Sequence, residues 1–337
     1  MNIDMGFTRS KSILLLALVS FLHQSETASK KRPLQTGVED VTSQYPVCVK
    51  GLKKSDIKTF KINGEQIRVC FDYTRQGAIW TYHEVDGKAL KNPESATGRS
   101  TRWKIDGLDD DVIQTVKTSQ FYRKAYKKES HGKGANEPEV YLARGHLTPN
   151  ADFASREERA STFYFINAAP QWQYFNGKSW SQLENRIRNY AKSGQGKTLQ
   201  VITGTDGVFK DNSGEWYLTW KMPDANNNKI KKIPVPNFFW KIVWDDAKRA
   251  GIAFIGSNHP LPKGKGPQVK GRPNTGGQYK ADRCSGSYKN VNKGYIWCYT
   301  IKEIFEVLPE LENYAVPLLE KKVKSLKIKD NNKFLNL

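Results

Sequence analysis

Three runs in the second half of the chain are apolar almost throughout: Leu199-Gln-Val-Ile-Thr203, Phe238-Phe-Trp-Lys-Ile-Val-Trp244 and Gly251-Ile-Ala-Phe-Ile255. Short runs of this kind, rich in β-branched and aromatic residues, read as buried strands. Earlier, from Pro46 to Tyr82, apolar and polar residues alternate, and Asn63-Gly64 between two such stretches signals a hairpin. Val140-Tyr141-Leu142 and Phe163-Tyr-Phe-Ile166 are further strand-like runs. Helical spacing is clear at Trp180, Leu183, Ile187, Tyr190 and Ala191, with Gly194 placed to cap that helix. A short helix is expected around Ile301–Leu311. Many strands with few helices predict an α+β fold, a central and mostly antiparallel sheet with flanking helices.

Four segments are expected along the chain. Arg9 and Lys11 precede the apolar run Ile13–Leu22, and small or polar residues follow through Ala28. This is the order of a secretory signal peptide over residues 1–28. The run is shorter than the roughly 20 residues that span a bilayer. Residues 29–92 form a β-rich extension containing Cys48 and Cys70, residues 93–318 the main domain, and 319–337 a Lys-rich tail. The remaining cysteines are Cys284 and Cys298. An even count in an exported chain suggests disulfides, and the sequence-local pairs Cys48–Cys70 and Cys284–Cys298 are favoured among the alternatives. No Cys-x2-Cys spacing supports a zinc site.

Lys and Arg number 54 against 34 Asp and Glu, a formal net charge of +20. Such a surface attracts polyanions, whether nucleic acid, heparin-like glycan or anionic lipid, and charge alone does not choose among them. No later stretch approaches membrane length, so stable membrane association is not expected. The basic stretches Lys263–Lys280 and Lys321–Lys333 suit a phosphate backbone followed without base reading.

The chemistry-bearing residues start at Ala143-Arg144-Gly145-His146. An imidazole near its ordinary pKa can take a proton from water, and a guanidinium can hold a phosphate oxygen by two parallel hydrogen bonds. Taken alone, His146 reads first as a hydrogen-bonded structural histidine. Downstream, Asn176 is placed just before the helix and Glu184 on its polar face. Two helical turns span about 11 Å, so Glu184 would reach an Asn176-bound ion through water. A hard cation that keeps several waters suits that arrangement.

The blocks Ala143-Arg144-Gly145-His146, Asn167-Ala-Ala-Pro170-Gln171 and Asn176-x3-Trp180-x2-Leu183-Glu184 resemble those of the DNA/RNA non-specific endonucleases. These are ββα-metal nucleases of the Serratia nuclease and endonuclease G kind, and the likeness best fits their secreted arthropod branch. It runs over roughly residues 95–315. It implies a ββα-metal nuclease fold, with His146 as general base and Asn176 as the direct protein ligand of Mg²⁺, for which Mn²⁺ can substitute. Glu184 would hold the ion's water shell, Asn167 would support the site, and Arg144 and Arg188 would sit on phosphate oxygens. An i,i+4 salt bridge to Glu184 is the blander reading of Arg188. Trp180, Leu183 and Ile187 read as core, and His83, His131 and His259 as structural.

Two departures stand out. Ala143 replaces the family's aspartate, and Thr101 replaces an upstream arginine for which Arg99 or Arg102 can substitute. The implied substrates are DNA, single- or double-stranded, and also RNA, cut to 5′-phosphate products. The rivals are a non-catalytic binder of DNA or heparin, for which Ala143 argues, and a nuclease of the same fold preferring double-stranded RNA. Oligomeric state is not legible.

Overall fold

The computed structural model describes residues 37–45, 48–64, 66–95, 102–108, 141–211, 214–221, 230–258 and 294–314. The expected signal peptide, Arg99, His131, His259, Cys284, both basic stretches and the Lys-rich tail lie outside them.

The chain first forms an antiparallel meander of β1 (Val38–Asp40), β2 (Ile57–Ile62), β3 (Ile67–Asp72) and β4 (Gly77–Asp86). The β2–β3 connection uses the expected dipeptide. Asn63 and Gly64 both take positive φ, 52° and 69°, which Asn tolerates and Gly adopts freely. A hairpin arm follows, of β5 (Leu142–His146) and β6 (Ala168–Trp172), with the short helix α1 (Arg156–Ala160) in the connection. Ser155 and Glu158 form a capping box at its start.

Phe163–Ile166 is not the strand expected. Phe165–Asn167 forms a 3-10 turn and pairing begins at Ala168, because the buried Asn167 side chain bonds the neighbouring loop.

Helix formation starts directly after β6. The turn α2 (Gln173–Phe175) runs into a π-helical turn (Asn176–Trp180) and then α3 (Ser181–Lys192). Asn176 therefore lies within the helical stretch rather than just before it. Gly194, at φ 63°, follows the end of α3 as expected. Next come β7 (Thr198–Asp206), the short pairs β8 (Lys210–Asp211) with β9 (Gly214–Glu215) and β10 (Tyr217–Lys221) with β11 (Ile230–Pro234), then β12 (Phe238–Asp245), β13 (Ala250–Ser257) and β14 (Ile296–Tyr299). Thr300 and Glu303 cap α4 (Ile301–Val307), after which Pro309–Asn313 continues as a 3-10 turn.

Eight strands form one antiparallel sheet in the order β1-β2-β3-β4-β7-β12-β13-β14. The segment 29–92, read as an extension, thus supplies four strands of the central sheet, and Gly37–Leu337 is one compact unit. The sheet is covered on both faces, so its central strands read as continuous apolar runs. Leu183, Ile187 and Ala191 of α3 pack with Val85, Val201, Phe239 and Val243 on one face. Ile301 and Ile304 of α4 pack with Ile202, Trp240, Ile242 and Ile255 on the other. Full burial of a Leu or Ile side chain contributes about 1.5–3 kcal/mol, so α3 is held chiefly by this stripe. Cys48–Cys70 is a disulfide, as expected, and Cys298 is disulfide-bonded.

Candidate active site

Strands β5 and β6 followed by the α2–α3 stretch bring the three sequence blocks together. His146 and Arg144 lie two residues apart on β5 and share a face. Gly145 between them faces the other way, and a Cβ there would collide with the Gln171 side chain of β6. The glycine of the first block is thus required by the glutamine of the second. The imidazole of His146 lies 4.7 Å from the Trp103 ring and 4.9 Å from Phe163, centroid to centroid. Arg144 Cζ lies 5.1 Å from the Trp103 centroid.

Asn167 is fully buried. Its Nδ2 donates to Thr148 O at 3.0 Å and to Thr162 O at 2.9 Å, and its Oδ1 accepts from Thr148 N at 2.9 Å. Leu147 N also donates to Asn167 O at 3.0 Å. Asn167 clamps the backbone just after His146, a supporting role with no side-chain donor left over.

The π-turn has a geometric consequence for the helix. Hydrogen bonds of the i→i+5 type absorb one residue more per turn than α-helical ones. Glu184 follows Asn176 by eight residues. One of them absorbed by the π-turn leaves about two α-turns, which puts both side chains on one face. Asn176 Nδ2 donates to Gln173 Oε1 at 3.3 Å, which leaves its Oδ1 as an acceptor. Glu184 is partly buried and makes no hydrogen bond or ion pair among the described residues. Burial first, and then the Asp152 charge, push its carboxyl up to about 7, against Lys241 and Arg188. An amide oxygen and a carboxylate with no hydrogen bond or ion pair among the described residues fit a hard divalent cation that keeps most of its waters. Among the described residues no group of three or more His, Cys, Asp or Glu could hold a metal.

Behind this face lies a buried polar cluster that sequence reading did not find. Asp152 Oδ1 accepts from Arg188 Nη1 at 2.9 Å, and Oδ2 lies 2.9 Å from His83 Nε2. Arg188 therefore pairs with Asp152 rather than with Glu184, its i,i+4 neighbour. His83, fully buried on β4, also lies 3.3 Å from Thr148 Oγ1. Lys241 of β12, 1% exposed, donates to Thr203 Oγ1 and to Leu147 O at 3.4 Å, with its Nζ 5.5 Å from the Trp180 ring centroid. Burial pulls its pKa down, while Glu184 and Asp152 oppose the shift. A signal for it existed: Lys241 is the charged residue of the otherwise apolar run Phe238–Trp244, a placement that needs partners. Asp152 had no such signal. Arg102 is exposed and makes no hydrogen bond or ion pair among the described residues. Its neighbour Trp103 makes the contact with His146. Trp180, Leu183 and Ile187 are core, as expected.

A salivary endonuclease of Lutzomyia longipalpis is 30% identical over 216 residues, 60% of this chain and 48% of the relative. Salivary protein Tsal2A of Glossina morsitans morsitans is 24% identical over 257 residues, 71% and 60% of the two chains. A salivary endonuclease of Culex quinquefasciatus is 29% identical over 124 residues, 36% and 31% of the two. The chain spans about half the length of the curated relatives it matches. The family model described as DNA/RNA non-specific endonuclease matches residues 44–302, starting well before the likeness read from the sequence and taking in the strands that carry His83. The match covers most of the chain, site and central sheet alike, so this protein belongs to the DNA/RNA non-specific endonuclease family.

Proposed function

We propose that this chain is a secreted, divalent-metal-dependent, sugar-non-specific endonuclease that hydrolyses DNA, single- and double-stranded, and RNA to 5′-phosphate products. The observation that carries the reading is the placement of His146 and Arg144 on one face of β5, in the same ββα unit as Asn176 and Glu184. His146 takes the proton of a water attacking phosphorus in line with the departing O3′. Arg144 holds a non-bridging oxygen and stabilises the charge that grows there. Arg188 keeps one Nη on Asp152 and has further guanidinium donors for a phosphate. Asn176 Oδ1 and the Glu184 carboxylate would hold Mg²⁺ or Mn²⁺, which supplies charge neutralisation at the phosphate and the leaving oxygen. No group in this scheme needs a 2′-hydroxyl, so DNA and RNA both qualify.

The names of the relatives and the signal-like leader support export into saliva, and the charge of +20 suits capture of long polyanions. The role that follows is degradation of host extracellular DNA during feeding. Incubating purified protein with plasmid, single-stranded DNA and double-stranded RNA, with and without EDTA, tests the reading. EDTA-sensitive cutting of both DNA forms is expected. Binding without cutting would favour the polyanion binder for which Ala143 argues, and cutting of double-stranded RNA alone would favour the RNA-preferring enzyme. For the feeding role, the expected result is dissolution of neutrophil DNA webs at physiological salt, and failure there counts against it.

A further inference from the structure

Trp103 touches both functional side chains of β5. Its ring centroid lies 4.7 Å from that of His146, with the planes at 45°, and 5.1 Å from Arg144 Cζ. Residues two apart on a strand stand roughly 6.6 Å apart along it, a gap that one indole spans. Phe163 meets the imidazole edge-on at 4.9 Å and 89°, and Phe165 lies 5.9 Å from the guanidinium. The indole is itself seated, 5.4 Å from the rings of both Phe163 and Phe165. The backbone next to it is stitched to the same segment by Lys104 N to Phe163 O at 2.8 Å and Phe165 N to Lys104 O at 3.0 Å. That segment leads straight into Asn167, which clamps the backbone after His146. The family's carboxylate position is occupied here by Ala143, whose methyl group can make no hydrogen bond.

We infer that Trp103 is a positioning residue, which sets the ring orientation of the His146 base and its spacing from the phosphate-holding Arg144 through an aromatic cradle. The catalytic part of this inference rests on the endonuclease reading of His146. Tilted aromatic packing and stacking of a guanidinium on an indole both favour defined orientations. A base displaced by about an ångström can lose up to about a hundredfold in rate.

The test uses the full chain with Trp103→Ala, Trp103→Leu and Trp103→Phe, and two readouts. One is kcat and KM on plasmid DNA at saturating Mg²⁺. The other is the NMR shifts of the His146 ring protons, identified by their absence in His146→Ala. Removing the indole should shift those protons, as its ring current is lost and the imidazole turns, and should lower kcat by about tenfold or more with KM little changed. Trp103→Phe should restore much of both, and Trp103→Leu keeps the proposal testable if the alanine variant does not fold. Unchanged imidazole shifts, or a normal kcat, would overturn it. A raised KM with intact kcat would also overturn it, by assigning the indole to stacking on a nucleic-acid base. A wild-type chain that cuts nothing would sink the endonuclease reading, while the ring-proton shifts still decide whether Trp103 holds His146.

Discussion

Arg188 Nη1 donates to Asp152 Oδ1 at 2.9 Å, although Glu184 stands one turn before it on the same helix. The choice follows from burial. Asp152 is 4% exposed, and an uncompensated carboxylate there costs far more than one at the partly open position of Glu184. His83 occupies the other oxygen, so Asp152 ties α3 to the central strand β4. Burial would raise its pKa, but the His83 hydrogen bond and the Arg188 and Lys241 charges hold it below the ordinary carboxylate range.

Asp152→Asn should therefore destabilise the protein by about 3–5 kcal/mol, the scale for breaking a buried ion pair from one side. Urea unfolding at neutral pH measures it. A loss under about 1 kcal/mol would mean that Arg188 and His83 find other partners.

His83 makes a prediction about acid. Burial lowers its pKa from 6.5 against the pull of Asp152. The folded state then binds protons less readily than the unfolded chain, so this contribution to stability is present above about 6.5 and is lost as pH falls below that. Unfolding free energy should decline from pH 6.5 towards 5, and His83→Gln should flatten the decline. Parallel slopes in the two proteins would assign the acid sensitivity elsewhere.

Glu184 has the opposite sign. Burial raises its carboxyl from 4.5 to about 7. The folded state keeps a proton that the unfolded chain releases, so the contribution is full below 4.5 and is lost as pH rises through about 7. Glu184→Gln should remove that slope. Mg²⁺ favours the carboxylate, so its affinity should rise with pH up to about 7, with proton release on binding. Calorimetry in buffers of different ionisation enthalpy reads the proton, and a pH-independent affinity would separate Glu184 from the ion.

On the proposed catalytic face, His146→Ala should cut turnover by about a hundredfold or more while DNA binding persists. Asn176→Ala should instead raise the Mg²⁺ concentration needed for half-maximal activity. Plasmid nicking across a metal titration separates the two effects. An unaltered titration for Asn176→Ala would move the ion to other ligands.

The Cys48–Cys70 bond closes a loop of sequence separation 22. Replacing both cysteines with serine should cost about 2–4 kcal/mol, mostly by freeing the unfolded chain. Thermal melts of the double variant check it, and non-reducing mass mapping should join Cys284 to Cys298.

Much of this protein was determined by local sequence. Apolar runs, the Asn63-Gly64 turn and the stripe at Leu183, Ile187 and Ala191 report the burial of their own segment, because side-chain direction repeats every 2 or 3.6 residues. His146, Asn176 and Glu184 could be singled out because they fall in short blocks that resemble those of a known family. Tertiary structure decided the rest. Pairing of β4 with β7, which makes one sheet of two expected segments, is a contact between distant stretches and leaves no periodic trace in either. Nor could a linear reading show that Asp152 would draw Arg188 away from Glu184, or that Trp103 would lie against His146. The cost of a buried charge and the direction of a ring are set by neighbours that only the folded chain supplies.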